Sequence, residues 1–201
     1  MITAKKIIFC ASFFFLLLLV SCTTTKLKSV WKDNTYDGYI NNIMVVGIFE
    51  RRDIRKFFER ELVNQFKNHD TEAIASADAI PSEEELNENV ILGEARKQGI
   101  DMIMVTHLLS IDEKSAFHPQ RNLGGFNSYY HWAYAYVHGP RYYSQGTLSV
   151  YLKSNLYETK TEKLIWSVTS KTMDVRESKY NIVKSLSKVV IKSLGNNKLL
   201  K

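Results

Sequence analysis

The sequence predicts an α/β fold with α+β character: a single domain on a mixed sheet of about five strands, three parallel through helices and then an antiparallel hairpin, with about three helices. Three patterns predict it. Apolar runs stand at 43–49 and 102–109, with a short strand-like stretch at 72–76 between them. Amphipathic stretches separate them, and strand–helix alternation at such spacings closes through right-handed parallel crossovers. An alternating stretch at 147–157 and an apolar one at 164–168 then flank a polar turn at 158–162 and form a hairpin.

Taken in order, residues 29–39, with Trp31 and a turn around Gly38, form an irregular lead-in or edge segment. Ile43 to Phe49 is almost wholly apolar, as a strand covered on both faces must be. From Asp53 to about Lys67, Ile54, Phe58, Leu62 and Phe66 recur every four residues and make a helix packed on the sheet, with Arg55, Lys56, Glu59 and Arg60 on its other faces. Arg55 and Glu59 stand at i,i+4, a surface pair contributing ~0.2–0.5 kcal/mol. Glu72 to Ser76 is a short strand. Ser82 and Glu85 have capping-box spacing and open a helix, broken near 87–89, that Gly99 ends in a left-handed conformation. Met102 to Leu109 is the third parallel strand. A closing helix from about Ser178 to Leu194 carries Ile182, Val183, Leu186, Val189, Val190 and Leu194 as its apolar stripe, with Gly195 at its end.

Ahead of this domain stands a leader. Lys5 and Lys6 precede an apolar core from Ile7 to Val20, and small Ser21 precedes Cys22, the plan of a cleavable export signal. The core is shorter than the ~20 apolar residues needed to cross a bilayer. Leu19-Val20-Ser21-Cys22 resembles the lipobox of bacterial lipoproteins. That resemblance implies a diacylglyceryl thioether on the Cys22 thiol, cleavage before it and acylation of the freed amine. An ordinary signal peptide, or an uncleaved anchor with a chance cysteine, is the plainer alternative. Thr23 in place of Asp implies the periplasmic face of the outer membrane. Thr23 to Lys26 begin a polar tether. The expected division is 1–21 signal peptide, 22–41 lipidated cysteine, tether and lead-in, and 42–201 domain, with an aromatic insertion at 115–145.

Loss of the leader removes only Lys5 and Lys6 from a chain of net charge +6, so 180 residues remain at +4. For an exported protein this mild excess points to anionic lipid or wall polymer, and nucleic acid is not an expected partner. Cys10 leaves with the leader and Cys22 is alkylated, so the mature domain depends on its core and has neither disulfide nor free thiol.

The span 43–111 resembles a class of bacterial outer-membrane lipoproteins. The resemblance rests on Met44 to Ile48, Arg55-Lys56-Phe57-Phe58-Glu59-Arg60-Glu61-Leu62, Glu72 to Ser76, Pro81 and Gly99 to Val105. Asn155-Leu156-Tyr157 and Leu164-Ile165-Trp166 add the hairpin. The fold is similar to the small α/β domains of the TolB amino-terminal, CsgG and LpoB families. Members of those families bind or assemble with envelope proteins, so the resemblance implies an interaction role. The absence of a long amphipathic insertion argues against a pore.

No motif for chemistry accompanies these patterns. Gly-rich phosphate loops are absent, and Ser29-x-x-Lys32 and Ser185-x-x-Lys188 lack the companion elements of penicillin-recognising enzymes. His118, His131 and His138 come without the further ligands that a zinc site requires, so neither metal nor other cofactor is expected. His107 reads as a hydrogen-bonded core or edge residue and His69 as a helix-end residue. Residues 117–143 stand apart: nine of the 27 are aromatic, and Arg121 and Arg141 are the formal charges. Tyr130, Trp132, Tyr134 and Tyr136 alternate as one face of a strand. With Tyr129, Tyr142 and Tyr143 they are the candidate recognition surface, since such side chains are enriched at interfaces. The alternative is that they complete the core. Lys184, Lys188 and Lys192 form a row that is either solvated or set against an anionic surface. The expected function is a non-catalytic, lipid-anchored periplasmic module that binds another envelope protein. The alternatives are a small-ligand or peptidoglycan-fragment binder or hydrolase using His131 or His138, and a structural lipoprotein.

Overall fold

The computed structural model describes residues 25–80, 87–110, 125–126, 130, 149–173 and 179–201. The expected α/β architecture is present. Six strands form one mixed sheet: β1 (Thr25–Lys32), β2 (Asn42–Ile48), β3 (Glu72–Ala75), β4 (Met102–Ser110), β5 (Ser149–Glu158) and β6 (Leu164–Met173). Their order across the sheet is β1-β6-β5-β4-β2-β3, with β3 and β4 parallel to β2 and the remaining pairs antiparallel. The described helices are α1 (Arg52–Phe66), α2 (Ser76–Ala79), α3 (Glu88–Lys97) and α4 (Lys179–Asn196), with a 3-10 turn at Lys67–His69.

Alternation along the strands explains the continuous apolar runs. Ile43, Val45, Met102, Met104, Leu152, Leu156 and Trp166 face α1 and α4, and pack against Phe58, Leu62, Phe66, Val183, Leu186 and Val190. Met44, Val46, Ile48, Ile103 and Val105 face the other way, toward Ile91, Leu92 and Ala95 of α3 and toward Phe126, Tyr130 and Tyr157. A strand with a core on each side has no polar alternation to display.

Three expectations need correction. The lead-in divides into an edge strand and an irregular stretch at 33–41, and Thr25 and Lys26 are not tether: they begin β1, the edge strand antiparallel to β6. A bulge between Leu27 and Ser29 hides it from sequence reading. Leu27 opposes Ser170 and Val30 opposes Val168, so side chains three apart share a face and the two-residue period is lost. The second correction is α2, an unexpected single turn after β3. Finally, α4 runs through Gly195 to Asn196, and Lys198 (φ 56°) takes the left-handed position that lets Leu199 and Leu200 fold back into the core.

The capping box at Ser82 and Glu85 lies outside the described residues. Asn87 caps the start of α3, its side-chain oxygen accepting from the amides of Asn89 and Val90 at 3.1 Å. Beyond its far end Gly99 has φ 67°, and no atom lies within 4 Å of where a Cβ would sit. Gly99→Ala therefore meets backbone strain alone and is expected to cost ~1 kcal/mol, readable as a shift in the urea midpoint at unchanged slope.

Candidate functional site

The carboxyl ends of β2 and β3 converge on a buried ionic cluster. Arg55 and Glu59, one turn apart on α1, are 3 % and 0 % exposed. The expected i,i+4 pair does form, Arg55 Nε donating to Glu59 Oε1 at 2.9 Å, but inside the protein rather than on its surface. The same oxygen accepts from the Gly47 amide (2.9 Å) and the Ser76 hydroxyl (2.8 Å), and Oε2 accepts from the Ala77 amide (2.6 Å). Arg55 Nη2 donates to Ser76 Oγ at 3.1 Å, closing the ring. Gly47 is required by crowding, because a Cβ there would lie 2.8 Å from the Phe49 ring and 3.1 Å from that of Phe58.

Burial pushes the Glu59 carboxyl above its usual range; Arg55, the two amides and the Ser76 hydroxyl oppose that push. Four donors converge on the two carboxylate oxygens, which suits a clamp joining β2, α1 and α2 rather than a general base awaiting a substrate. Outside it, Arg60 pairs with Asp78 at 2.7 Å in solvent and links the same helices more weakly. A signal for the cluster existed in the sequence. At about 100° per residue, Arg55 falls between Leu62 and Phe66 on the helical wheel, and Glu59 lies ~20° beyond Phe66.

On the opposite face a polar strip crosses β4, β5 and β6. His107 is fully buried and stands in register between Ile48 and Lys153. Burial, and secondarily the Lys153 ammonium, lowers its imidazole to about 3; burial also pulls Lys153 down. The Asn155 amide donates to Tyr157 Oη at 2.9 Å and accepts from Ser167 Oγ at 2.7 Å. Burial raises the Tyr157 phenol despite the Asn155 hydrogen bond. Tyr157 meets Phe126 edge-on at 5.5 Å, and Phe126 lies 5.8 Å from Tyr130.

Tyr130 thus sits in the core, 1 % exposed and in helical conformation, not on a strand's exposed aromatic face. Tyr129, Trp132, Tyr134, Tyr136, Tyr142, Tyr143, His118, His131, His138 and Cys22 lie outside the described residues. His69 ends the 3-10 turn as expected. Lys184, Lys188 and Lys192 are exposed on α4 and enter no ion pair among the described residues. Asp53, Lys56, Phe57, Arg60, Glu61, Asn64 and Tyr180 line an open groove of about 410 Å³ between α1 and α4, where Phe57 and Tyr180 meet edge-on at 4.7 Å. Among the described residues no cluster of three His, Cys, Asp or Glu side chains is placed to hold a metal, and no helix is long and apolar enough to cross a membrane.

No protein-family model matches the chain, and no curated protein matches it in sequence. Among solved structures it is similar to the PelC dodecamer from Paraburkholderia phytofirmans, at 13% identity and a TM-score of 0.47, covering 85% of this chain and 96% of that one. It is also similar to the lipoprotein GNA1162 from Neisseria meningitidis, at 12% identity and a TM-score of 0.41, covering 77% of this chain and 98% of that one.

Proposed function

We propose that the chain is a lipid-anchored module of the bacterial envelope, held on the periplasmic face of the outer membrane, which binds another envelope protein and catalyses no reaction. The observation that carries this reading is the leader: Lys5 and Lys6, the apolar core to Val20, and Ser21 before Cys22, set directly ahead of a folded domain. The internally satisfied Arg55–Glu59 cluster supports a non-catalytic role, since its donors and acceptors are engaged with one another.

The aromatic segment between β4 and β5 is the proposed contact surface, because β4 ends at the carboxyl edge of the parallel strands, where α/β sheets place their binding segments. Tyr130 drops out of that surface. The Trp132→Ala, Tyr134→Ala, Tyr136→Ala triple variant is expected to lose at least ~10-fold in yield of a discrete crosslinked partner in intact cells while retaining its urea midpoint. Tyr130→Ala is expected to lower the midpoint instead. An unchanged crosslink in the triple variant rejects the segment as the contact.

A further inference from the structure

We infer that the β1–α4 flank of the domain lies on the anionic phospholipid headgroups of the membrane that holds it, so that the anchor orients the domain as well as confining it. The inference rests on the proposed lipidation of Cys22.

Three observations carry it. The first is tether length. Cys22 stands three residues before Thr25, which already pairs with Thr172 in the sheet, and three extended residues span no more than ~10 Å. The amino-terminal end of β1 is therefore held at the headgroup level, with no linker to carry the domain away.

The second is charge. β1 carries Lys26, Lys28 and Lys32, and residues 179–201 carry Lys179, Lys184, Lys188, Lys192, Lys198 and Lys201; neither segment contains an Asp or Glu. These nine lysines exceed the mature net charge of +4, so the rest of the mature chain sums to −5. The two segments are adjacent, because α4 packs on β1 and β6. The row Lys184, Lys188, Lys192 extends over ~12 Å of helix and enters no ion pair among the described residues. A basic flank on an otherwise acidic body turns toward an anionic surface, at ~1 kcal/mol per lysine near the headgroups.

The third is the exposed edge. Val30 and Trp31 are 43 % and 50 % exposed on β1, and Trp is enriched at membrane–water interfaces. The lysines of β1 also oppose strand addition by another chain, which leaves the edge to the headgroups.

The test uses the lipidated full-length product, purified from a bacterial host that processes lipoproteins and reconstituted on vesicles. Asn181→Cys, on the exposed stripe of α4, and Lys97→Cys, on α3 across the sheet, each take a fluorophore, since lipidation blocks Cys22. With a quencher carried on the headgroups of vesicles containing phosphatidylglycerol, quenching at 181 is expected to exceed that at 97 by about threefold or more, and to fall toward parity in 1 M salt. Lys184→Glu, Lys188→Glu, Lys192→Glu together are expected to abolish the difference while attachment and the lipid mass on Cys22 persist.

Equal quenching at the two positions on lipidated protein overturns the inference and leaves the anchoring intact. A probe at 181 unquenched on vesicles but shielded from a soluble quencher by added polyglutamate assigns the flank to an anionic polymer and also overturns it. A chain without lipid on Cys22 overturns the reading beneath it.

Discussion

Glu59→Ala is expected to destabilise the domain by ~3–5 kcal/mol, a large part of the stability of a domain this size. The change leaves the Arg55 guanidinium buried without its carboxylate, and it removes the acceptor of the Gly47 and Ala77 amides and of the Ser76 hydroxyl. Arg55→Ala leaves the carboxylate with its amides but without its counter-charge, and belongs to the same range. Arg55→Met with Glu59→Leu replaces both charges by apolar groups of similar length, so the double change is expected to cost less than the sum of the single ones. Urea unfolding of the four proteins measures this directly. A Glu59→Ala cost below ~1 kcal/mol would mean that the cluster is not a clamp.

The second large effect is acid sensitivity from His107. In the unfolded chain its imidazole takes a proton near 6.5, whereas in the fold it does so only at about 3. The unfolded state therefore binds the proton first, and stability falls as pH drops from about 6.5 to about 3, by up to ~1.4 kcal/mol per pH unit. Over the whole window the loss is on the order of 4–5 kcal/mol. His107→Leu is expected to flatten the stability profile between pH 6 and pH 4. A further loss remains below that window. The Asp33 carboxyl is held down to about 2 by its hydrogen bond from Lys163 and then by Thr35, so its contribution is present above 3.8 and disappears as pH falls toward 2. A variant that kept the wild-type slope above pH 4 would remove His107 as its source.

The parallel half of the sheet was legible because both of its faces are covered, which writes a strand as an apolar run such as Met44 to Ile48. The hairpin was legible through the alternation of β5 and the apolar start of β6, although β6 continues to Met173 on Ser170 and Thr172, buried polar residues outside that apolar start. β1 was hidden by its bulge. The Arg55–Glu59 cluster was hidden by the assumption that charges on an amphipathic helix face water, although Arg55 lies between two core positions on the wheel. Tyr130 shows the converse limit. Alternation with Trp132 and Tyr134 resembles a strand, yet its ring stacks into the core beside Phe126, at the i,i+4 spacing of a helix. The Phe126–Tyr130 spacing is a helical signal that the stronger alternation masks, and Tyr157 is too far along the chain to announce its contact with Phe126.

The proposed lipid anchor can be read from the mass of the mature amino-terminal peptide. Protein extracted from the membrane of a bacterial host should begin at Cys22, lack residues 1–21 and carry diacylglyceryl and amide-linked acyl mass on that residue. A chain that retains Met1 to Ser21, or one that is cut elsewhere and bears a free Cys22 thiol, would rule out the anchor.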